Sequence, residues 1–301
     1  MAVVDLTLPI NAEGGLSMDA KEARQLGSLL CEDFQNADPF PHVVIDNLLP
    51  QPVLEQALSG FPKEALASDG WFNIGYAGQH KRQVMPEDCS AAARELFWFM
   101  NSRSMLQFLE GMSGIEGLIP DPYFMGGGYH ETSRGGKLGI HADFRIHEQL
   151  NLQRRLNLLI YLNEEWDDAW KGQLELWDRD MKGCAARVSP ILNRCVVFRT
   201  DADTWHGHPD ELETPENVTR RSIALYYYTA SKGVYQDVPA SSTVYMARAQ
   251  DDAESRKQAR NLRLWETVRD WAPPVLFRRL SALRYRIANW KAKSASRANA
   301  P

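Results

Sequence analysis

Between about residues 120 and 230 the chain breaks into short runs rich in β-branched, aromatic and leucine residues: DPYFMGGGYHE, KLGIHADF, RLNLLIYLN, GQLELWD, RCVVFRT and RRSIALYYYT. Gly, Asp or Asn separates one run from the next. Strand-length runs at this spacing predict an antiparallel sandwich or barrel. The flanks read differently. MDAKEARQLGSLLCEDF and AAARELFWFMNSRSMLQFLEGM repeat apolar positions at three and four residues, the period of a half-buried helix. Between them PHVVIDNLLP reads as a short strand turning into a helix. Residues 250 to 295 return to a helical pattern, which Pro273 and Pro274 interrupt.

With 301 residues, 44% of them hydrophobic, the chain can bury a sizeable core. Its opening residues, MAVVDLTLPINAEGG, lack a basic segment followed by an apolar one, and no apolar run approaches the ~20 residues of a membrane-spanning helix. Cys31, Cys89, Cys184 and Cys195 are scattered without CxxC pairing. Reduced packing thiols and a cytoplasmic location are therefore expected. The net charge of -5 is unevenly spread: residues 256 to 301 hold twelve Lys or Arg against Glu266 and Asp270, a net of +10, which leaves -15 for the remainder. An acidic body of this kind repels nucleic acid, which is not expected as a partner.

In LGIHADF the alternation of a strand sends His141 and Asp143 to one face and Ile140, Ala142 and Phe144 to the other. Two ligand-type side chains thus converge, and TWHGHP offers a third in His206 or His208. Two imidazoles and a carboxylate make the facial triad of non-heme Fe(II) enzymes. Pro209 redirects the chain just after His208, which favours His206. Downstream, TRRSIALYYYT places Arg220, Ser222, Ala224 and Tyr226 on one face. The small residues beside Arg220 leave room for a carboxylate, which a guanidinium clamps through two charge-assisted hydrogen bonds.

The ordered set HADF, RLNLLIYLNEEW, GQLELW, VVFRTDADTWHGHP and TRRSIALYYYT resembles the Fe(II)- and 2-oxoglutarate-dependent dioxygenases, in particular their prolyl-4-hydroxylase-like branch, over about residues 120 to 230. The resemblance implies a β-rich α+β fold with a double-stranded β-helix, or jelly roll. The catalytic core would span residues 116–235, the supporting helices 1–115 and a basic helical extension 250–301. It implies Fe(II), 2-oxoglutarate and O2 as cofactors, with ascorbate as a reductant, and matches His141, Asp143 and His206 to the metal ligands. Arg220 matches the residue that binds the far carboxylate of 2-oxoglutarate, and Tyr161 a tyrosine that hydrogen-bonds the same group. Asn157 and Tyr129 are expected beside the cosubstrate, with His130 in the glycine-rich loop that follows GGG. Relatives often carry two glycines before the leucine of GQLELW; here Gly172 is followed by Gln173. Related halogenases replace the carboxylate by a small residue, so Asp143 implies hydroxylation.

The expected reaction is hydroxylation of an unactivated C–H bond coupled to decarboxylation of 2-oxoglutarate to succinate. The expected substrate is a small molecule, or a sugar or lipid-linked sugar. A peptidyl-prolyl hydroxylase and a non-redox metal-binding jelly roll are the alternatives. In PPVLFRRLSALRYRIANWKAK, Leu276, Leu280, Leu283, Ile287 and Trp290 form one apolar stripe among basic residues. Such a stripe suits either an anionic membrane surface or packing against the body or a second subunit, so peripheral membrane contact and a homodimer both stay open.

Overall fold

The computed structural model describes residues 3–62, 64–66, 68–147, 149–230 and 243–271. The N-terminal part contains β1 (Val3–Asp5), α1 (Ala20–Ser28), α2 (Cys31–Gln35), β2 (His42–Asp46), α3 (Gln51–Gly60), β3 (Gly70–Phe72), β4 (Gln79–Val84), α4 (Ala91–Met100) and α5 (Arg103–Ser113). The central part is nearly all strand: β5 (Ile119–Pro120), β6 (Gly128–Ala142), β7 (Leu152–Tyr161), β8 (Leu174–Trp177), β9 (Cys184–Val188), β10 (Cys195–Arg199), β11 (His206–His208) and β12 (Arg220–Ala230). β13 (Val244–Tyr245) and α6 (Ala253–Trp271) follow. The apolar stripe read at Leu276 to Trp290 lies outside the described residues, among which no helix is long and apolar enough to cross a membrane.

Strand β6 builds both walls of the core. Its first half pairs with β12, giving the order β6-β12-β7-β10, and its second half pairs with β11, giving β6-β11-β8-β9. The crossing falls at Gly135 and Gly136. Gly135 has φ of +74°, and a Cβ on Gly136 would lie 2.7 Å from the carbonyl oxygens of Gln79 and Ser133. Two four-strand walls sharing one long strand, all neighbours antiparallel, are the double-stranded β-helix.

Period-two alternation divides the long wall. Ile223, Leu225 and Tyr227 of β12 point outward with Leu156, Leu158 and Ile160 of β7 into a large apolar core shared with α1, α3, α4 and α5. Ser222, Ala224 and Tyr226 point into the β-helix. Helix ends are secured locally: Asp19 accepts from the amides of Lys21 and Glu22, Ser90 from Ala93, and Ser102 from Met105, each cap contributing about 1 kcal/mol.

The N-terminal segment adds more than helices. β2 extends the long wall beyond β10, and the β3–β4 hairpin extends it beyond β6. β4 has the sequence QHKRQV, whose polar side chains carry no apolar period. Pairing to β6 makes it a strand, and its own pattern does not.

Helices α1 and α5 cross with backbones almost touching, since a Cβ on Gly27 would sit 2.0 Å from the Phe108 carbonyl oxygen. Gly27→Ala is expected to destabilise the protein by about 1–3 kcal/mol, read as a lowered urea midpoint at unchanged slope.

Candidate active site

His141 is the penultimate residue of β6 and His206 begins β11, and the two residues are direct partners across that antiparallel pair. Their ring centroids lie 4.4 Å apart. Asp143 leaves β6 on the same face, so that one ligand atom from each of His141, Asp143 and His206 falls within 4.8 Å of the others. Nε2 of His141 is 3.7 Å and Nε2 of His206 is 3.4 Å from the Asp143 carboxylate, beyond ordinary hydrogen-bond length.

Both imidazoles are held in the same way. Nδ1 of His141 meets the Gly139 carbonyl at 2.8 Å and Nδ1 of His206 meets the Thr204 carbonyl at 2.9 Å. A proton on each Nδ1 donates to that carbonyl, which leaves each Nε2 with its lone pair facing the common point. Packing fixes the rings as well: Phe198 stands edge-on to His206 at 4.6 Å, and Tyr245 lies over His141 at 5.5 Å. Burial, and then the neighbouring His206, push the His141 pKa down to about 3, so the ring is an uncharged donor.

A short network aims Asp143. Burial alone would raise its pKa, but Arg154 and His206 outweigh burial and hold it well below the usual carboxylate range. Arg154 Nη2 is 3.2 Å from Asp143 Oδ2, Asn157 Nδ2 donates to the same oxygen at 2.7 Å, and Arg154 Nε donates to Asn157 Oδ1 at 2.9 Å. The guanidinium is itself clamped between Tyr226, 3.5 Å to the ring centroid, and Phe144, 4.7 Å. Two neutral nitrogens and one ionised, doubly anchored carboxylate fit a divalent first-row metal with open positions.

The triad opens onto a cavity of about 240 Å³ inside the β-helix. Across it stands Arg220, buried at the start of β12. Its Nε donates to the Gly172 carbonyl at 2.7 Å and its Nη2 to the Tyr161 hydroxyl at 3.3 Å. Among the described residues no carboxylate forms an ion pair with it, whereas its neighbour Arg221 pairs with Glu131 at 3.1 Å away from the cavity. A buried guanidinium without an acid is costly, and an anionic ligand relieves that cost.

The remaining expectations divide. His208 faces the same cavity as His206, because the two are alternate residues of one strand, but a bulge sets it against Leu138 and it lies outside the triad. Tyr161 meets Arg220 from the barrel interior. Asn157 lines the cavity with its amide already donating to Asp143, which makes it a support for the triad. Tyr129 is displaced from its expected place beside the cosubstrate: it points into the helical core, packs on Phe61 and Phe97, and donates to the Ala57 carbonyl at 3.0 Å. Alternation puts His130 on the cavity side instead. Reading the sequence alone missed Arg154, Tyr245 and Lys81. Tyr245 arrives on β13, which pairs with β6 at His141, and Lys81 arrives on β4.

Residues 127–228 match the family model described as the 2OG-Fe(II) oxygenase superfamily. The chain carries a 2OG-Fe(II) oxygenase domain, and so is a 2-oxoglutarate-dependent enzyme that uses Fe(II) and O2. No curated protein matches it. Among solved structures it is similar to a Trichoplax adhaerens prolyl hydroxylase in complex with a hypoxia-inducible-factor peptide fragment. That match has 17% identity and TM-score 0.46, over 69% of this chain and 91% of that one. It is also similar to a Pseudomonas putida prolyl-4-hydroxylase, with 16% identity, TM-score 0.42, 68% and 99%. A third is HygX from Streptomyces hygroscopicus with nickel and 2-oxoglutarate bound, at 10% identity, TM-score 0.45, 69% and 92%.

Two outcomes follow. Asn157→Leu is expected to weaken Co(II) binding about 10–100-fold in a spectroscopic titration, because Asp143 loses its amide donor. The metal-free protein is expected to lose stability between pH 7 and 5. Burial keeps His130, His141 and His208 uncharged when folded, whereas in the unfolded chain each takes a proton near 6.5. The unfolded state then binds more protons, so each group removes up to about 1.4 kcal/mol per pH unit, seen as a falling Tm.

Proposed function

We propose that His141, Asp143 and His206 hold Fe(II), that Arg220 and Tyr161 hold the far carboxylate of 2-oxoglutarate, and that the enzyme hydroxylates a C–H bond of a small-molecule or sugar-linked substrate. The observation that carries this reading is the pairing of a two-histidine, one-carboxylate cluster with a buried, acid-free Arg220 on one cavity. When bound, Fe(II) with 2-oxoglutarate and O2 supplies the oxidising chemistry, which ends in succinate, CO2 and a hydroxylated product.

Each protein group has a separate task. The Nδ1 anchors of His141 and His206 fix the direction of the donor lone pairs. Asp143, ionised and tied to Arg154 and Asn157, lowers the charge of the metal site without rotating. Arg220 sets the reach and register of the cosubstrate, which converts an encounter into a fixed orientation. Leu159, Leu174 and Phe198 keep that part of the cavity apolar.

A cavity of about 240 Å³ falls just below the usual size of ligand pockets, which supports a small substrate or a small reacting portion of a larger one. The reading includes a cytoplasmic location, supported by four cysteines that are free of disulfides. The basic sequence of residues 273–301 supports a lipid-linked substrate at a membrane surface.

Anaerobic addition of Fe(II) and 2-oxoglutarate is expected to give a visible charge-transfer band. The band should be absent in Asp143→Ala, and Arg220→Ala should need about 100-fold more 2-oxoglutarate to reach it. A wild-type protein without the band sinks the proposal. Succinate release across metabolites, sugar nucleotides and proline peptides then separates a small-molecule enzyme from a peptidyl-prolyl hydroxylase.

A further inference from the structure

The cavity contains a second cation that the cosubstrate does not explain. Lys81, on β4, faces inward, and among the described residues its Nζ has neither an ion pair nor a hydrogen bond. The Nζ lies over the face of Phe72, 5.7 Å from the ring centroid. Burial pushes its pKa down to about 8, with Arg220 adding to the shift, so the amine still carries its proton at neutral pH.

Register shows that Lys81 and Arg220 serve different places. Both are partners of Thr132 on β6, Lys81 from one side and Arg220 from the other. Their backbones are therefore two strand spacings, about 10 Å, apart. Arg220 bonds to Gly172 and Tyr161, on the side away from β4. Lys81 instead rests against Phe72 of the β3–β4 hairpin, whose connection carries Ile74, a cavity-lining residue that is 62% exposed. The two cations therefore stand on opposite sides of Thr132, Arg220 turned toward Tyr161 and Lys81 toward Phe72.

Charge leads to the same conclusion. The charged side chains lining the cavity are Lys81, Arg154, Arg220 and Asp143, a net of +2, with His130 and His208 kept uncharged by burial and His141 and His206 uncharged as metal binding requires. Fe(II) adds two positive charges and 2-oxoglutarate two negative ones, so the loaded cavity keeps an excess of two positive charges. In a cavity of lowered dielectric that excess is unfavourable until an anion enters.

We propose, on the basis of the cosubstrate assignment above, that Lys81 is a specificity-determining residue that binds an anionic group, a carboxylate or a phosphate, on the substrate. The amine supplies a point charge with three donors, and Phe72 and Ile74 offer apolar surface on the same cavity. A neutral substrate of the same shape leaves the lysine desolvated and unpaired, and is discriminated against on that account.

The test uses the full chain loaded with Ni(II) and 2-oxoglutarate, titrated calorimetrically with inorganic phosphate, with butyrate and with neutral butyramide. Butyrate or phosphate is expected to bind and butyramide is not. Lys81→Gln should weaken the anions about tenfold or more while leaving the Kd for 2-oxoglutarate within about twofold. Lys81→Arg should keep the preference, which separates loss of charge from loss of fold. The inference is overturned by equal or absent binding of the three probes to wild type, by an anion preference that survives in Lys81→Gln, or by a Lys81→Gln defect in 2-oxoglutarate affinity. Failure of the wild type to bind 2-oxoglutarate overturns the cosubstrate reading itself.

Discussion

The antiparallel pairing of β6 with β11 is the contact on which the site depends. It makes His141 and His206 cross-strand partners, and partners across an antiparallel pair stand about 4.5–5.5 Å apart at Cβ. Two imidazoles on separate parts of the chain thereby share one point in space. Because β6 also forms the long wall through its first half, the ligand-bearing end of the strand is anchored to β12 and, through β12, to Arg220. The spacing between the triad and Arg220 is thus set largely by strand geometry.

Alternation along β12 and β7 assigns the two faces of the long wall to different kinds of work. The outward face buries large apolar side chains against four helices and supplies most of the packing. That packing allows the inward side to hold groups that are unfavourable in isolation: a nearly buried carboxylate, two buried guanidinium groups and several uncharged imidazoles. Arg154 shows how the cost is offset, with one face on Tyr226, the other near Phe144, its Nε donating to Asn157 and its Nη2 ion-paired with Asp143. Arg220 and Lys81 are offset less fully by protein groups, which is the electrostatic form of a site awaiting ligands.

The strand runs of residues 120 to 230 were legible because each has a period of two and clear breaks, and the ligand spacing in LGIHADF was legible because that period is short-range. Tyr129 shows the limit of such reading. Tyr129 and His130 are adjacent, so one faces the helices and the other the cavity, and only the pairing of β6 with β12 and β4 decides which. The β3–β4 hairpin was invisible for a different reason: QHKRQV owes its conformation to the edge of β6 that it completes. The role of Asn157 depended likewise on how Asp143 turns after leaving the strand.

By itself, the sequence determined the β-rich core, the same-face pair His141 and Asp143, the strand beginning at Arg220 and the class of chemistry these imply. Such features are local, set by the alternation of side chains along a strand. Tertiary structure set His206 opposite His141 and His208 opposite Leu138, turned Tyr129 away, and brought Lys81 and Tyr245 to the cavity from segments about 60 residues before and 100 residues after His141. Those outcomes follow from inter-strand register, which depends on which edges remain unpaired once the whole sheet is assembled.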